Sequence, residues 1–380
     1  MQRALVFLAL VFVSVRALSQ LTLSPKVQVP ASPSSTSSAV SGTATDDDWA
    51  IVWSQSDGVF GARLNRDATS FGNRFQVTNA AARLTSAGWS GTRLLVAWID
   101  SVSFPGPLKL RSVFEDLPEN HERVIDSSPT FDVQVKGSAY GAALVWSTGT
   151  EIRAMRLNRD GEQMDYAPVR LDRSTANKSE VNVGVANDSY QIAWVEADNN
   201  PAYPCRLNAC PAYSEIRMVA CRLEPSGAGP IFILKSFVPV SALPDTGPYP
   251  HAFAWSPRSG LFFWDELTAK LMIPVSEDFR PGVPVVLSNG IANAQFDGRN
   301  FLVCSYTGSA DANLLIVSQF GALYVDSGLT VPYGQIVAGV NGKALLIGKS
   351  IDDGGLSRAY AALVVDNWHF AEQRRRSVRH

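Results

Sequence analysis

Several carboxylate residues follow a recurrent tryptophan, and their spacing suggests two kinds of chemistry. Asp100 and Glu196 each stand two residues after a Trp, and Asp265 and Glu266 directly follow Trp264. Two carboxyl groups about 5–10 Å apart could perform acid–base catalysis on a glycosidic bond. The same acids could instead accept hydrogen bonds in a turn that recurs because the fold recurs. We favour the turn acceptor for each acid, and Asp265 with Glu266 is the best functional candidate.

Other catalytic and metal-binding patterns find little support. The four histidines lie in unrelated contexts, so neither a Ser-His-Asp triad nor a His-rich metal site is indicated. Phosphate-binding loops and dinucleotide fingerprints are missing from the sequence. We therefore predict no cofactor and no metal, and we assign no catalytic residue.

The tryptophans that precede these acids end copies of one repeated segment. Each copy has an apolar residue, a turn and a β-branched or aromatic run, as in "GTRLLVAWID". The end positions of the seven copies are Trp53, Trp98, Trp146, Trp194, Trp264, Ser305 and Lys349. Most copies are 41 to 48 residues apart, and one interval is 70 residues. Four short strands in about 45 residues, repeated in this way, are typical of a β-propeller.

The repeat count predicts an all-β, seven-bladed β-propeller of four-stranded antiparallel blades. The seventh copy lacks a fourth strand, and "SPKVQVPAS" (residues 24–32) matches the fourth strands of other copies. We expect residues 26–30 to close the last blade, which leaves no open sheet edge. Six blades with a separate cap remain the alternative. Trp98 and its counterparts are predicted to pack between blades.

The 70-residue interval contains two insertions that mark one sector of the ring. They cover residues 196–213 and 236–251, and propeller topology places both on the face where loops vary. We predict that this lobe binds a protein or carbohydrate ligand. The predicted ligand-binding residues are Glu196, Tyr203, Tyr213, Tyr249, His251, Asp265 and Glu266. A loop that only caps one blade is the alternative.

Cysteine usage and the chain ends suggest export. Residues 1–19 have a positive start, a short apolar run and small residues before the expected cleavage point, as in a signal peptide. Cys205 and Cys210 bracket a turn and are the most probable disulfide pair, with a zinc site as the alternative. We expect one propeller domain at 20–370, a basic disordered tail at 371–380, and a secreted, periplasmic or cell-surface location.

The charge balance limits the classes of partner. Acidic residues outnumber basic ones in residues 20–370, which argues against nucleic-acid binding. No segment after the signal peptide is apolar enough to span a membrane. We expect a monomer.

The repeat also resembles a known class of protein. The pattern Gly-x-x-apolar run-Trp-acidic, followed by "EIRAMRLNRDGE", resembles repeats of secreted bacterial β-propeller proteins of the sialidase-like and WD40-like kind. The resemblance covers nearly all of residues 24–366 and implies a fold and export, but no single activity. The Asp-box motif of sialidase blades is incomplete here. We expect a binding module rather than an enzyme; a carbohydrate-active hydrolase or lyase with channel-facing carboxylates is the alternative, and a purely structural module is a third possibility.

Overall fold

The chain folds into seven antiparallel sheets arranged as the blades of a propeller. The computed structural model describes residues 21–30, 39–102, 104–186, 189–199, 213–237, 249–266, 269–287, 290–306, 311–318, 324–332, 334–337, 343–351 and 357–366. These residues contain strands and no helix, so no described helix is long and apolar enough to cross a bilayer. The predicted seven-bladed fold is confirmed, and the six-bladed alternative is excluded.

The strands follow one another around the ring in chain order. The N-terminal strands are β1 (Leu21–Leu23) and β2 (Val27–Gln28). Blade 1 contains β3 (Val40–Ala44), β4 (Trp49–Gln55), β5 (Gly58–Leu64) and β6 (Phe75–Thr78). Blade 2 contains β7 (Ala82–Trp89), β8 (Leu94–Asp100), β9 (Gly106–Phe114), β10 (Leu117–Pro118) and β11 (Arg123–Thr130). Blade 3 contains β12 (Asp132–Ser138), β13 (Gly141–Ser147), β14 (Ile152–Leu157) and β15 (Val169–Arg170).

The remaining four blades repeat this plan. Blade 4 contains β16 (Asn177–Ala186), β17 (Ser189–Asn199), β18 (Tyr213–Glu224) and β19 (Gly227–Phe237). Blade 5 contains β20 (Tyr249–Ser256), β21 (Ser259–Glu266), β22 (Ala269–Ser276) and β23 (Val285–Leu287). Blade 6 contains β24 (Gly290–Phe296), β25 (Asn300–Tyr306), β26 (Asp311–Ser318) and β27 (Tyr324–Pro332). Blade 7 contains β28 (Gly334–Val337), β29 (Lys343–Ile351) and β30 (Ser357–Asp366).

The first full strand of each blade faces the centre of the ring. These inner strands are β3, β7, β12, β16, β20, β24 and β28; each contacts the next, and β28 contacts β3. The ring is therefore closed around a central channel.

The hydrophobic core lies between blades rather than within one sheet. Seven clusters of buried side chains join neighbouring blades, one at each interface. In one of them Trp98 of blade 2 packs with Ala50, Val52 and Val59 of blade 1. Blades 6 and 7 lack the Trp, and the buried rings of Phe301 and Tyr360 lie in the corresponding clusters. The repeated Trp is thus an inter-blade packing residue, as predicted.

The N-terminal strands complete blade 7. Both β1 and β2 pair antiparallel with β30, with Leu21 opposite Asp366 and Val27 opposite Ala361. Between them, the Ser24 amide donates to the Leu363 carbonyl at 2.9 Å, and the Leu363 amide donates to Ser24 Oγ at 2.8 Å. The predicted closing strand at residues 26–30 is confirmed in position. Strand pairing within that range is limited to Val27 and Gln28, and β1 adds paired residues from Leu21 to Leu23.

Candidate functional site

Strand order assigns every connection to one of two faces of the ring. The links between second and third strands, and the links from one blade to the next, emerge on one face, which we call the loop face. Every inner strand also begins at this face. Loops that vary without disturbing the sheets are the usual place for recognition in such folds.

The acids that follow the repeated Trp have internal partners. The indole Nε1 of Trp98 donates to Asp100 Oδ1 at 3.1 Å, and that of Trp194 donates to Glu196 Oε1 at 3.0 Å. Lys109 pairs with Asp100 at 2.9 Å. These carboxylates recur because they hold the indole ring at the blade interface. The sequence prediction of a hydrogen-bond acceptor was right, but the donor is the Trp side chain.

Glu196, a predicted ligand-binding residue, is one of these structural acids. It is only 5% exposed, and its second oxygen lies 3.4 Å from Arg217. Arg217 also contacts Asp198, at 2.9 Å. The carboxylate of Glu196 is therefore oriented by the blade itself rather than presented to solvent.

The rest of the predicted lobe is described only as backbone or lies outside the described residues. Tyr203, Cys205 and Cys210 are outside them. Tyr213 begins β18 opposite Asn199, and Tyr249 begins β20 opposite Asp265. Glu266 ends β21 opposite Ala269. The backbone thus brings Tyr249 and Asp265 together at the loop face, and their ligand-binding roles stay predictions.

The two described cysteines are buried and unpaired. They are Cys221 and Cys304. Burial raises the pKa of each thiol to about 12, which keeps both sulfurs protonated near neutral pH. Neither is suited to be a nucleophile, and the pairing of Cys205 with Cys210 stays a prediction.

Bulges near the start of several inner strands place chemically active residues at the channel mouth. One extra residue interrupts the pairing in β7, β16 and β20: Arg83 in the first, the Glu180–Val181 step in the second, and His251 in the third. Glu180 has a φ of 56°, which is uncommon for a residue with a side chain. A bulge re-aims the side chain that it carries. His251, a predicted site residue, therefore occupies a backbone position equivalent to that of Arg83.

Two carboxylates from neighbouring blades interact at this mouth. Asp132, the first residue of β12, accepts the Val133 amide at 2.8 Å and the Val181 amide at 2.7 Å. Burial raises the pKa of Asp132 to about 6. Burial and the adjacent charge of Asp132 raise the pKa of Glu180 to about 7, although the Glu180 side chain still reaches water.

Exposed apolar side chains lie beside this carboxylate pair. Phe104 and Phe131 are 37% and 42% exposed, and their rings meet edge to face with centroids 6.3 Å apart. Arg83 lies over the Phe104 ring at 5.4 Å. Phe131 directly precedes Asp132 in the chain, so the aromatic pair and the carboxylate pair are joined through the backbone at this face. We call Arg83, Phe104, Phe131, Asp132 and Glu180 the mouth cluster.

A buried ion pair at the loop face anchors the backbone next to the mouth cluster. Lys178 Nζ donates to the carbonyls of Thr150, Ser174 and Ala176 at 2.6–2.9 Å and lies 3.3 Å from Asp172. These bonds join the link before β16 to the second loop of blade 3. Because Glu180 follows Lys178 by two residues, the network fixes where the bulge begins.

Sequence reasoning missed the mouth cluster. None of its members belongs to a recognised motif, and all five lie outside the long insertions, four of them in blades 2 and 3 or the link between these blades. A signal did exist: Phe104 and Phe131 are aromatic residues in connections that propeller topology assigns to one face. Within the described part of the chain, no group of three or more His, Cys, Asp or Glu side chains is arranged to hold a metal ion.

Comparison with solved structures supports the fold. A Mycobacterium tuberculosis puromycin-hydrolysing peptidase is similar, with a TM-score of 0.50, 13% identity, and coverage of 86% of this chain and 51% of that one. This chain therefore spans about half the length of that peptidase. Saccharomyces cerevisiae Sqt1 aligns at a TM-score of 0.48, with 9% identity over 90% of this chain and 98% of Sqt1. The Dos1 propeller also aligns at 0.48, with 8% identity over 91% and 95% of the two chains.

At 13% identity, the likeness to the peptidase shows a shared fold and nothing more. No protein-family model matches the chain, and no curated sequence matches it.

Proposed function

We propose that the protein is a binding module whose loop face recognises an exposed segment of another protein. The observation that carries this proposal is the mouth cluster, in which the exposed rings of Phe104 and Phe131 pack together and Phe131 directly precedes Asp132, whose carboxylate interacts with Glu180. Apolar anchors beside charged groups are characteristic of protein interaction sites. A segment with an apolar side chain next to a Lys or Arg has the matching chemistry.

The composition of the cluster favours a protein over a glycan. Its aromatic residues are phenylalanines, which offer no hydrogen bond, and the neighbouring Val102 is almost fully exposed at 98%. Both Asp132 oxygens already accept backbone amides. A sugar needs many hydrogen-bond partners in a specific site. Apolar and basic peptide side chains instead need apolar rings and carboxylates, which this surface has.

A random peptide library displayed on phage tests the proposal against the full chain. We expect the wild-type protein to enrich peptides with a basic residue close to an aromatic or aliphatic one. Phe104→Ser with Phe131→Ser should remove this enrichment, and Glu180→Gln should remove the preference for the basic residue.

Phe114→Ser with Leu117→Ser is a matched control. These two side chains are also apolar and exposed, at 45% and 71%, but they lie at the turn on the opposite face of blade 2. Equal enrichment by the wild-type protein and the Phe104/Phe131 variant would refute the site. Binding on a glycan array with no peptide enrichment would refute a protein ligand and favour a carbohydrate.

One observation favours a second candidate, a carbohydrate-active hydrolase. Asp132 and Glu180 form a carboxylate pair, and the raised pKa of Glu180, about 7, suits the general acid of such a pair. The backbone bonds to Asp132 weigh against a nucleophilic role for it. Turnover of 4-nitrophenyl glycosides by the wild-type chain, lost in Glu180→Gln, would establish this alternative, and no turnover by any preparation would reject it.

Export is part of the proposal. Cleavage after Ser19 would leave Leu21, where β1 begins, so the mature chain would keep every strand of blade 7. N-terminal sequencing of protein secreted by a suitable host should find Gln20 first. A mature N-terminus beyond Leu23 would contradict this, since β1 would be lost.

A further inference from the structure

The central channel contains a small polar cavity below the mouth cluster. Its volume is about 70 Å³, and its lining comes from the inner strands of six blades. Polar residues of this lining are Ser41, Thr85, Gln134, Lys136, Asn182 and Gln295. A water site needs roughly 10–15 Å³ by the same measure, so the cavity holds on the order of five water-sized atoms.

Lys136 is the one charged residue in this lining. Among the described residues its ammonium has no hydrogen-bond or ion-pair partner, although the side chain is half-buried. Burial lowers the pKa of Lys136, and no carboxylate lies near enough to oppose that effect. A buried charge without a counter-charge is costly, which makes the site suited to an anion.

Two other described lysines, the buried Lys178 and the half-buried Lys109, are different. Lys178 has three carbonyl acceptors and Asp172, and Lys109 has Asp100 and Glu122 at 2.9 and 3.1 Å. Each of these ammonium groups is fully satisfied inside the protein. Lys136 therefore stands apart from the structural lysines.

Neutral hydrogen-bond donors surround the same cavity. The Ser41 hydroxyl of blade 1 donates to the Thr85 hydroxyl of blade 2 at 3.3 Å. The side-chain amides of Gln134, Asn182 and Gln295 also line it, and they form no hydrogen bond with another described residue. A cation with several neutral donors is the chemistry that binds an oxyanion.

We propose that the channel binds one small tetrahedral oxyanion, phosphate or sulfate, with Lys136 as its ion-pairing group. Such an ion has five non-hydrogen atoms, which is the capacity of the cavity, whereas a hexose has twelve. Asp132 stands on the same face of β12 four residues earlier, about 13 Å away at the usual strand rise, so the acidic mouth and the cationic site are separate.

Isothermal titration of the full chain with inorganic phosphate, and separately with sulfate, tests the proposal. We expect one site per chain and at least tenfold weaker binding in Lys136→Met. The matched control is Lys343→Met, which removes an ammonium that lies outside the cavity and 3.5 Å from the exposed carboxylate of Asp67. Direct titration is needed because phosphate and sulfate also stabilise proteins by exclusion from their surface.

Lysine labelling in the wild-type chain gives a second measurement that needs no variant. Phosphate should slow the acetylation of Lys136, followed by mass spectrometry, and should leave that of Lys343 unchanged. No heat of binding with either anion, or equal labelling of Lys136 with and without phosphate, would overturn the proposal. The Phe104/Phe131 variant should still bind phosphate, so failure of the peptide site and failure of this site are distinguishable.

Discussion

At the scale of single residues, the repeated Trp does two tasks. Trp53 and Trp98 occupy equivalent positions in consecutive blades, and both are fully buried. The indole of Trp98 donates to Asp100, whereas Trp53 Nε1 has no acceptor among the described residues. Packing is therefore common to both, and the hydrogen bond is added in only one of them.

This difference predicts unequal costs for one substitution. Trp98→Phe and Trp53→Phe remove the same ring volume, but only the first removes a hydrogen bond to a carboxylate. We expect Trp98→Phe to lower the free energy of unfolding by about 1.5 kcal/mol more than Trp53→Phe. Urea denaturation followed by circular dichroism measures both. Equal losses would mean that the Trp98–Asp100 bond contributes no net stability.

At the scale of elements, the N-terminal strands decide whether the ring is closed. β1 and β2 cover the edge of β30, which would otherwise present unpaired backbone groups to solvent. Leu21 reaches the cluster between blades 6 and 7, and Thr22 on the same strand points outward. Closure thus depends on burial as well as on backbone pairing.

Two neighbouring residues of β1 provide a matched test. We expect Leu21→Ala to destabilise the protein by about 2–3 kcal/mol because it leaves a cavity in the interface. Thr22→Ala should change stability by less than about 0.5 kcal/mol. Thermal unfolding of both variants checks this. If Leu21→Ala also had no effect, β1 would not close the ring in solution.

At the scale of the whole molecule, the mouth cluster links stability to pH. The folded-state pKa values of Asp132 and Glu180 lie above those of free carboxyls, so the folded chain binds more protons than the unfolded chain between about pH 4 and 7. Their contribution is present at low pH and is lost as pH rises. Asp126 and Asp165 have the opposite pH dependence. Burial raises their pKa values, but hydrogen bonds and neighbouring Arg residues lower them more, so both pKa values lie below the usual range.

Glu180→Gln tests the loss of stability that the mouth cluster causes as pH rises. We expect the variant to lose less stability than the wild-type chain when pH rises from about 4 to 8, because its mouth carries one fewer acid to ionise. The loss below pH 4 that Asp126 and Asp165 cause should be unchanged in the variant. Chemical denaturation at several pH values measures both windows. Parallel curves between pH 4 and 8 would show that Glu180 titrates as an ordinary exposed acid.

What the sequence determined by itself was the architecture. A repeat of about 45 residues reports a periodic core, because each blade must bury the same face against its neighbour. The positions of Trp53 to Trp264, the number of blades and the closing strand near Val27 could all be predicted in this way. Regular packing between blades imposes a regular pattern of apolar residues, and this pattern can be read from the sequence.

What only the tertiary structure decided was which side chains meet at the channel. Phe104, Phe131 and Glu180 come from three separate connections or bulges, and their approach depends on how blades 2, 3 and 4 stack. The surroundings of Lys136 likewise follow from packing between inner strands that are distant in sequence. Repetition predicts the ring, but contacts at its centre depend on single residues from many blades, and no local pattern encodes them.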